Sequence, residues 1–224
     1  MALDAKKLVF EPIRVEDSVR IAPYFYRRPN KTCDSCALDS YLWAEYSDIR
    51  IAEWEDKALF ILMEKDGEQY TATPYCDEED LPQYFDLIKD YFNQVLKKPL
   101  KIYLADEEAV KYLHLEEDPR FIVREEEDYK DYLYDAEELR TLPGKRFHKK
   151  KNLVNKFKRE YEGRWEYRSI RCLEKQAVWD FLDRWYTHRV KEEGNGEETL
   201  EYEIKGIHEV LQNCFAIDHY IGGI

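Results

Sequence analysis

The sequence predicts a mixed α/β fold in which amphipathic helices pack on a largely antiparallel sheet. The first observation is a run of strand-like segments joined by short turn-forming pairs, which is typical of an antiparallel meander. The second is a long amphipathic helix directly after that meander. The third is that two helical segments precede this region, and strand-like and helical segments alternate after it. The meander segments are residues 50–54, 57–64 and 69–75, with Glu55-Asp56 and Asp66-Gly67 as the turns.

Two helices are predicted before the meander. The first covers residues 15–28, places Val19, Ala22 and Tyr26 on one face, and ends at Pro29 because proline cannot continue a helix. The second is predicted over residues 35–46. The chain therefore opens with a helical pair ahead of the sheet.

Further elements are predicted after the meander. A helix over residues 80–97 carries an apolar stripe made of Leu81, Tyr84, Phe85, Ile88, Tyr91, Phe92 and Val95. A buried strand is predicted over residues 100–104, and Asp106 is expected to cap a short helix that runs to Leu113. Residues 121–124 and 132–134 are predicted to form two more strands.

This order of elements, which spans residues 9–135, resembles the GNAT fold (GCN5-related N-acetyltransferases). A second unit is predicted to follow, with a strand at residues 164–171, a helix at 174–191, a turn at 194–196, a helix carrying Leu200, Ile204, Ile207 and Leu211, and a strand at 215–221. Because this order matches the front half of the same fold, the second unit is expected to be truncated. The predicted domains are a GNAT-like unit at 1–138, a basic linker helix at 139–161 and the second unit at 162–224.

In acetyltransferases of this fold, a Gly-rich turn before the long helix holds the pyrophosphate of coenzyme A. Here that turn is residues 74–80 (PYCDEED), which contain no glycine and four carboxylates that would repel a phosphate. We therefore expect no coenzyme A binding in the first unit and predict no cofactor there. The corresponding turn of the second unit is expected beyond residue 224.

Composition limits the class of protein. The chain has 224 residues, 44% of them hydrophobic, and its apolar runs are far shorter than the ~20 residues of a membrane span. Its first residues lack the pattern of a signal peptide. Five cysteines, an odd number, predict free thiols in a reducing compartment, with Cys172 and Cys214 as buried thiols. We therefore expect a cytoplasmic protein without a transmembrane segment.

The charge is distributed very unevenly along the chain. Residues 145–159 contain eight Lys or Arg residues and no Asp or Glu, whereas the whole chain carries a net charge of −13. The remainder therefore sums to −21 (−13 minus 8). We call residues 142–161 (LPGKRFHKKKNLVNKFKREY) the basic segment. Its contrast with the rest of the chain predicts a local anion site.

The basic segment has the periodicity of a helix. One face carries Phe147, Val154, Phe157 and Tyr161. Beside it, Lys151, Asn155 and Lys158 form a polar line at positions i, i+4 and i+7. Lys150 falls within the apolar stripe, where a hydrophobic residue is expected. Either the regular helix starts only near Lys150, or the Lys150 side chain projects into a cleft.

Two interpretations of the basic segment stay open. In one, it is a solvated linker helix neutralised by residues 125–138, which carry eight acidic residues and one lysine. In the other, its Lys-Asn-Lys line binds the phosphates of RNA or of lipid headgroups. A membrane-surface helix favours larger apolar residues such as Trp or Leu opposite its charges, so anionic lipid fits less well.

Residues 131–161 (DYLYDAEELRTLPGKRFHKKKNLVNKFKREY) resemble a bacterial family of unknown function related to the soluble C-terminal domain of phosphatidylglycerol lysyltransferase. The shared features are a Leu-x-Gly-Lys-Lys/Arg stretch followed by a basic Arg/Lys-Asn-x-x-Asn helix, and the likeness extends to the FLDRWY and EEGNGEETLEYE stretches. Such proteins are tandem GNAT folds. The resemblance implies aminoacyl transfer from aminoacyl-tRNA to an amine or hydroxyl. It also implies contacts to a polyanionic substrate from Gly144, Lys145, Arg146, Asn152 and Asn155.

The predicted function is therefore an aminoacyl-tRNA-dependent aminoacyltransferase-like protein, with Lys150, Lys151 and Lys158 added to the polyanion site from the helical pattern. No catalytic residue is assigned. Cys33 and Cys36 (CDSC) lack a matching second pair, so no metal site is predicted, and the scattered histidines indicate no hydrolase triad. Two alternatives stay open: a non-catalytic RNA- or protein-binding module, and an acyl-CoA N-acetyltransferase with its cofactor loop beyond residue 224.

Overall fold

The computed structural model describes residues 3–29, 32–103, 105–193, 198–217 and 222–223. The fold is mixed α/β, and the chain divides into two discontinuous units. Unit 1 comprises Met1–Tyr129 and Cys172–His219, and unit 2 comprises Lys130–Arg171 and Tyr220–Ile224.

The α-helices are α1 (Asp17–Ile21), α2 (Ala37–Leu42), α3 (Leu81–Asp90), α4 (Glu107–Tyr112), α5 (Ala136–Thr141), α6 (His148–Glu160), α7 (Lys175–Glu193) and α8 (Glu198–Gln212). The strands are β1 (Glu11–Pro12), β2 (Arg50–Trp54), β3 (Ala58–Lys65), β4 (Glu68–Thr71), β5 (Arg168–Ser169) and β6 (Gly222–Gly223).

The sheet of unit 1 has the order β1-β2-β3-β4, and all its neighbouring strands are antiparallel. The predicted meander is confirmed, because β2 coincides with residues 50–54 and β3 and β4 begin within one residue of their predicted starts. Both predicted turns are present as well. Each has two consecutive residues with positive φ, which is the geometry that joins closely twisted antiparallel strands.

β3 is buried on both faces, which makes it the centre of unit 1. Phe60 and its alternate neighbours pack against α3, whereas Leu59 and Ile61 face the opposite core together with Ile21 and Phe25. Side chains in a strand alternate between faces, so one run of apolar residues serves both cores. The continuous apolar run at residues 58–62 therefore encodes a central strand.

The long helix after the meander is confirmed, with one irregularity. α3 continues into a π-helical turn, Tyr91–Leu96, and the helix stops at Lys97, whose φ of 58° is left-handed. The predicted stripe is buried except for Val95, which is 40% exposed. The helix capped by Asp106 is also present, because the Asp106 carboxylate accepts a hydrogen bond from the Ala109 amide at 2.9 Å.

Five predicted elements differ from the structure. The helix over residues 15–28 is α1 followed by a 3₁₀ helix containing Pro23, and the helix over residues 35–46 is regular only as α2. In the described part of residues 100–104, one parallel bridge joins Ile102 to Thr71. The strands predicted at 121–124 and 132–134 are wrong. Those segments have no regular structure and are largely exposed, so their alternating pattern is not matched by burial.

Helices α7 and α8 belong to unit 1, where α8 packs against α2. Gly206 of α8 lies against the carbonyl group of Leu42, so an added Cβ would sit 3.1 Å from the Leu42 carbonyl carbon and closer still to its oxygen. The ring of Tyr46 contacts that of Tyr202 at 5.3 Å between centroids. These contacts attach α8 to unit 1, and the domain boundary predicted at residue 162 stays a prediction. The tandem organisation stays a prediction.

The structure corrects the prediction for two cysteines. Cys172 and Cys214 form a disulfide, with 5.8 Å between their Cα atoms, that joins the start of α7 to the end of α8. Cys33, Cys36 and Cys76 are not part of this disulfide. None of the helices in the described ranges is long and apolar enough to cross a membrane.

Unit 2 contains α5, α6 and a two-stranded sheet in which β5 pairs with β6. The strand predicted over residues 164–171 is limited to β5. The predicted turn at 194–196 and positions 218–221 of the last predicted strand lie outside the described residues, and residues 215–217 of that strand form a turn and a bend.

Candidate functional site

In unit 2, α5 lies just before the basic segment, which itself consists of a loop, a 3₁₀ turn and α6. α5 begins at an N-cap, Asp135, whose carboxylate accepts a hydrogen bond from the Glu138 amide at 2.9 Å, and it ends at Leu142 in the left-handed region. Gly144 has φ of 71°, a conformation that glycine adopts without strain. Lys145–Phe147 then form a 3₁₀ turn that leads into α6. The loop at Pro143-Gly144 is thus confirmed, and Gly144 shapes the backbone at the start of the site.

α6 presents its polar line to solvent. Lys151, Asn155 and Lys158 are all exposed, and at 1.5 Å of rise per residue the line extends about 10 Å along the helix. The predicted apolar face is only partly covered, because Phe147 is buried whereas Val154 and Tyr161 are 41% and 45% exposed. The regular helix begins at His148, before Lys150.

Two predicted site residues contact the chain just upstream of them. The Arg146 guanidinium forms an ion pair with the Glu138 carboxylate, and the Lys150 ammonium lies 5.6 Å from the ring centroid of Tyr134. Lys150 is exposed, so it contacts an aromatic ring at the surface instead of filling the apolar stripe. The interpretation in which residues 125–138 neutralise the segment includes Glu138, but sequence reasoning did not single out Glu138 or Tyr134 as the partners. Their signal was present in the acidic, Tyr-rich stretch before the loop.

Most of the positive charge in the basic segment is not neutralised by nearby carboxylates. Arg146 pairs with Glu138, and Lys156 pairs with Glu160 at 3.8 Å. The other six cations have no carboxylate oxygen within ion-pair distance among the residues that the structure describes; they are Lys145, Lys149, Lys150, Lys151, Lys158 and Arg159. Direct ion pairing therefore accounts for two of the eight cations.

The lysines at the N-terminal end of α6 destabilise the helix, because they lie at the positive end of its dipole. The first turn carries Lys149, Lys150 and Lys151, contains no acidic residue and has no side-chain cap. Cations at a helix N-terminus oppose the positive end of the helix dipole, and its unpaired amide groups favour an anion. An anion at this end would meet both the lysines and the helix terminus.

Asn152 and Asn155 are also exposed on α6. Their amides supply hydrogen-bond donors beside the lysines without adding charge. The C-terminal end of the helix carries an aromatic group, in which Phe157 stacks on Tyr161 at 4.9 Å and contacts Trp165 at 5.6 Å. The structure thus brings all eight predicted site residues onto one loop and the helix that follows it.

Unit 1 contains a separate cleft of about 460 Å³, lined by Arg20, Pro23, Tyr24, Arg27, Glu53, Glu55 and Asp56. Its arginines are already paired: Arg20 forms ion pairs with Asp17 and Glu53, and Arg27 with Asp77 at 3.3 Å. The Tyr24 hydroxyl donates to Glu53 at 2.9 Å. The two arginines, Tyr24 and Glu53 of this cleft therefore already have partners within the protein.

The turn at residues 74–80 leads through a 3₁₀ turn, Glu78–Asp80, into α3. Cys76 within it is fully buried, and burial raises the pKa of its thiol to about 12. A thiol with so high a pKa is protonated at neutral pH and is a poor nucleophile.

The CDSC pair has a local structural role at one of its cysteines. The Cys36 sulfur accepts a hydrogen bond from the Asp39 amide at 3.3 Å, so Cys36 is the N-cap of α2. Within the described ranges, no group of three or more His, Cys, Asp or Glu side chains is arranged to hold a metal ion.

Comparisons with known proteins agree with this architecture. A solved structure, described as a conserved protein of unknown function from Bacteroides thetaiotaomicron VPI-5482, superposes with a TM-score of 0.84 at 22% identity, covering 96% of this chain and 70% of that chain. This likeness concerns the fold. No curated protein matches the chain.

The family described as phosphatidylglycerol lysyltransferase, C-terminal, matches residues 28–212, and it is consistent with a GNAT-like fold. The matched range includes α5, α6 and every predicted site residue. Since the match covers most of the chain, this protein belongs to the family of the phosphatidylglycerol lysyltransferase C-terminal domain.

Proposed function

We propose that this protein transfers an aminoacyl group from aminoacyl-tRNA to an amine or hydroxyl acceptor, and that α6 holds the polyanionic donor. The observation that carries the proposal is the exposed line of Lys151, Asn155 and Lys158, whose lysines have no carboxylate partner among the described residues. The line lies in the part of the chain that matches the family. The proposed binding residues are Gly144, Lys145, Arg146, Lys150, Lys151, Asn152, Asn155 and Lys158.

The chemistry requires little from the protein beyond alignment. An aminoacyl ester is already activated, so the acceptor nitrogen or oxygen attacks its carbonyl carbon. The new bond forms, the bond to the ribose oxygen of tRNA breaks, and the acceptor proton leaves with the released hydroxyl. Holding donor and acceptor together and stabilising the oxyanion supply the main rate enhancement.

Phosphate contacts position a nucleic acid without reading its sequence, which suits a protein that recognises tRNA mainly through its backbone. Lys151 and Lys158, two helical turns apart, are placed to contact separate anionic groups, and the neighbouring asparagines donate further hydrogen bonds. Free aminoacyl-tRNA is cytosolic, so the proposal places the protein in the cytoplasm.

Binding of tRNA tests the first part of the proposal. The protein is titrated with bulk tRNA and, separately, with anionic phosphatidylglycerol vesicles, each at two salt concentrations. We expect tRNA binding that weakens with salt. If all six unpaired cations contact phosphates, the slope of log K against log salt reaches about −4 to −5.

The double variant Lys151→Glu/Lys158→Glu is expected to lose most of this binding. The matched control is Lys6→Glu/Lys7→Glu, which makes the same charge change at two exposed lysines of unit 1. Absence of tRNA binding at low salt, or an equal loss in both double variants, would contradict the proposal. Stronger binding to vesicles than to tRNA would instead identify a lipid headgroup as the anion.

A transfer assay tests the second part. Labelled lysyl-tRNA is incubated with the protein and with either phosphatidylglycerol vesicles or a peptide amine, and the label is followed into the acceptor. Transfer to either acceptor supports the proposed reaction. Binding of tRNA without any transfer or accelerated deacylation would support a non-catalytic RNA-binding module.

A further inference from the structure

Two side chains upstream of the loop occupy part of the proposed polyanion site. The Glu138 carboxylate pairs with Arg146, and the Tyr134 ring lies 5.6 Å from the Lys150 ammonium. Arg146 and Lys150 are both proposed binding residues. In the free protein, two of the cations of the site therefore already have partners from the preceding chain.

The Glu138 side chain does not cap its own helix, α5. In a capping box, an acidic residue three positions after the N-cap returns its side chain to the N-cap amide. Glu138 holds that position relative to Asp135, yet its carboxylate binds Arg146 instead. The neighbouring Glu137 pairs with Arg140 inside α5, with 3.0 Å from the Arg140 Nε. Glu137 therefore forms an ion pair within α5, whereas Glu138 forms one with a residue beyond the loop.

The ion pair between Glu138 and Arg146 is weak enough for a bound polyanion to displace Glu138. Glu138 is 40% exposed and Arg146 61% exposed, and ion pairs in such surroundings are strongly screened by water and salt. Arginine forms charge-assisted hydrogen bonds with phosphate as well as with carboxylate oxygens, so a phosphate can take the place of the Glu138 carboxylate. A polyanion that brings several phosphates at once would replace it.

We propose that Tyr134 and Glu138 form an internal competitor: they contact Lys150 and Arg146 in the free protein and are displaced when the polyanion binds. The inference rests on the proposed function of the basic segment. Its consequence is selectivity, because a small anion meets a partly occupied site, whereas a substrate with many phosphates gains enough contacts to open it.

Matched variants of the two adjacent glutamates test the internal competitor. Glu138→Gln frees Arg146, whereas Glu137→Gln makes the same charge change without doing so. We expect Glu138→Gln to bind bulk tRNA about three-fold more tightly than Glu137→Gln at moderate salt. Its salt slope should be steeper by about 0.7–0.9, the value of one added phosphate contact. Equal affinities and equal slopes in the two variants would overturn the inference.

A second background shows whether the gain passes through Arg146. In Arg146→Gln, the further change Glu138→Gln is expected to give no gain, and a persistent gain would overturn the inference. At the aromatic contact, Tyr134→Leu removes the ring from Lys150 and should tighten binding about two-fold, while Tyr134→Phe keeps the ring and should match wild type. Circular dichroism verifies the fold, which is expected to persist because Asp135 still caps α5.

The outcomes separate this inference from the proposed function. If wild type and Glu138→Gln both bind tRNA with equal affinity, only the internal competitor is overturned. If neither binds tRNA at low salt, the proposed function fails as well. Binding that appears only in Glu138→Gln would support the internal competitor but contradict the proposed function of the unaltered protein.

Discussion

Arg28 and Asp106 form a buried ion pair that links two distant parts of unit 1. The two guanidinium Nη atoms each lie 2.7 Å from a different carboxylate oxygen of Asp106, and the side chains are 5% and 7% exposed. Burial acts to lower the pKa of Arg28, but the hydrogen bonds and charge of Asp106 outweigh it, so that this pKa is raised. The same carboxylate caps α4 through the Ala109 amide. Removing either partner therefore leaves a buried charge without its counterion.

The expected loss follows from that arrangement. Breaking a buried ion pair by removing one partner costs about 3–5 kcal/mol, because the remaining charge stays desolvated. Arg28→Met should therefore lower the free energy of unfolding by about 3–5 kcal/mol. Asp106→Asn should lower the free energy of unfolding by a similar amount. Asparagine caps a helix as well as aspartate does, so this variant loses the ion pair but keeps the cap of α4. The double variant should lose much less than the sum, because it leaves neither charge unpaired.

Urea unfolding followed by tryptophan fluorescence measures these losses, with the slope m compared between variants to check that unfolding stays two-state. The matched control is Arg120→Met, because Arg120 also pairs with an aspartate, Asp118 at 2.6 Å, but is 71% exposed. This control should have little effect. A loss below about 1 kcal/mol in Arg28→Met, or additive losses in the double variant, would refute the reasoning.

Three further predictions concern unit 1. Gly206→Ala brings a Cβ against the Leu42 carbonyl and should cost at least about 1–3 kcal/mol in urea unfolding, whereas an unchanged midpoint would contradict the close approach. Burial raises the pKa of Asp39 to about 6. The folded state then holds more protons than the unfolded state between about pH 4 and 6, so stability falls as pH rises through this window; Asp39→Asn should flatten that fall and add about 1–2 kcal/mol at pH 7. The Cys172–Cys214 disulfide closes a loop with a sequence separation of 42 residues, which corresponds to about 4 kcal/mol. Reduction should lower Tm and raise the thiols titrated in denaturant from three to five, and five thiols before reduction would contradict the pairing.

The parts of the fold that sequence reasoning predicted well are those that local chemistry determines. Asp66-Gly67 and Glu55-Asp56 tolerate positive φ, so they fix both turns of the meander within a few residues. Asp106 caps its helix through an amide three residues away. The apolar run of β3 was also visible in the sequence. Burial on both faces removes the alternation of apolar and polar residues that a half-exposed strand would show.

The parts that were missed depend on partners far along the chain. Arg28 and Asp106 are 78 residues apart, and Cys172 and Cys214 are 42 apart, so neither pairing has a local signal. The strands predicted at residues 121–124 and 132–134 failed for a related reason. Tyr132 is 88% exposed and Ile122 is 84% exposed, so the apolar positions that suggested strands have no layer to pack against.

The basic segment shows why its eight predicted site residues could be proposed from the sequence, whereas the individual partners of Arg146 and Lys150 could not. A cluster of cations in an acidic chain is visible by counting, since residues 145–159 carry +8 against −21 elsewhere. Glu138 and Tyr134 become visible only when the loop at Gly144 folds α5 back toward α6, which depends on backbone geometry.

The placement of lysines on α6 is an argument about function, because it runs against the stability of the helix itself. Three consecutive lysines, Lys149, Lys150 and Lys151, stand in the first turn, where acidic residues would be stabilising. α5 shows the favourable alternative within the same unit, with an aspartate cap and two glutamates in its first turn. A chain with 48 acidic residues has ample carboxylates to place at the start of α6, yet places none there. Local choices that oppose stability are expected at functional sites. The acidic remainder of the chain would repel a polyanion, so the same arrangement that weakens the helix would also confine the proposed binding to it.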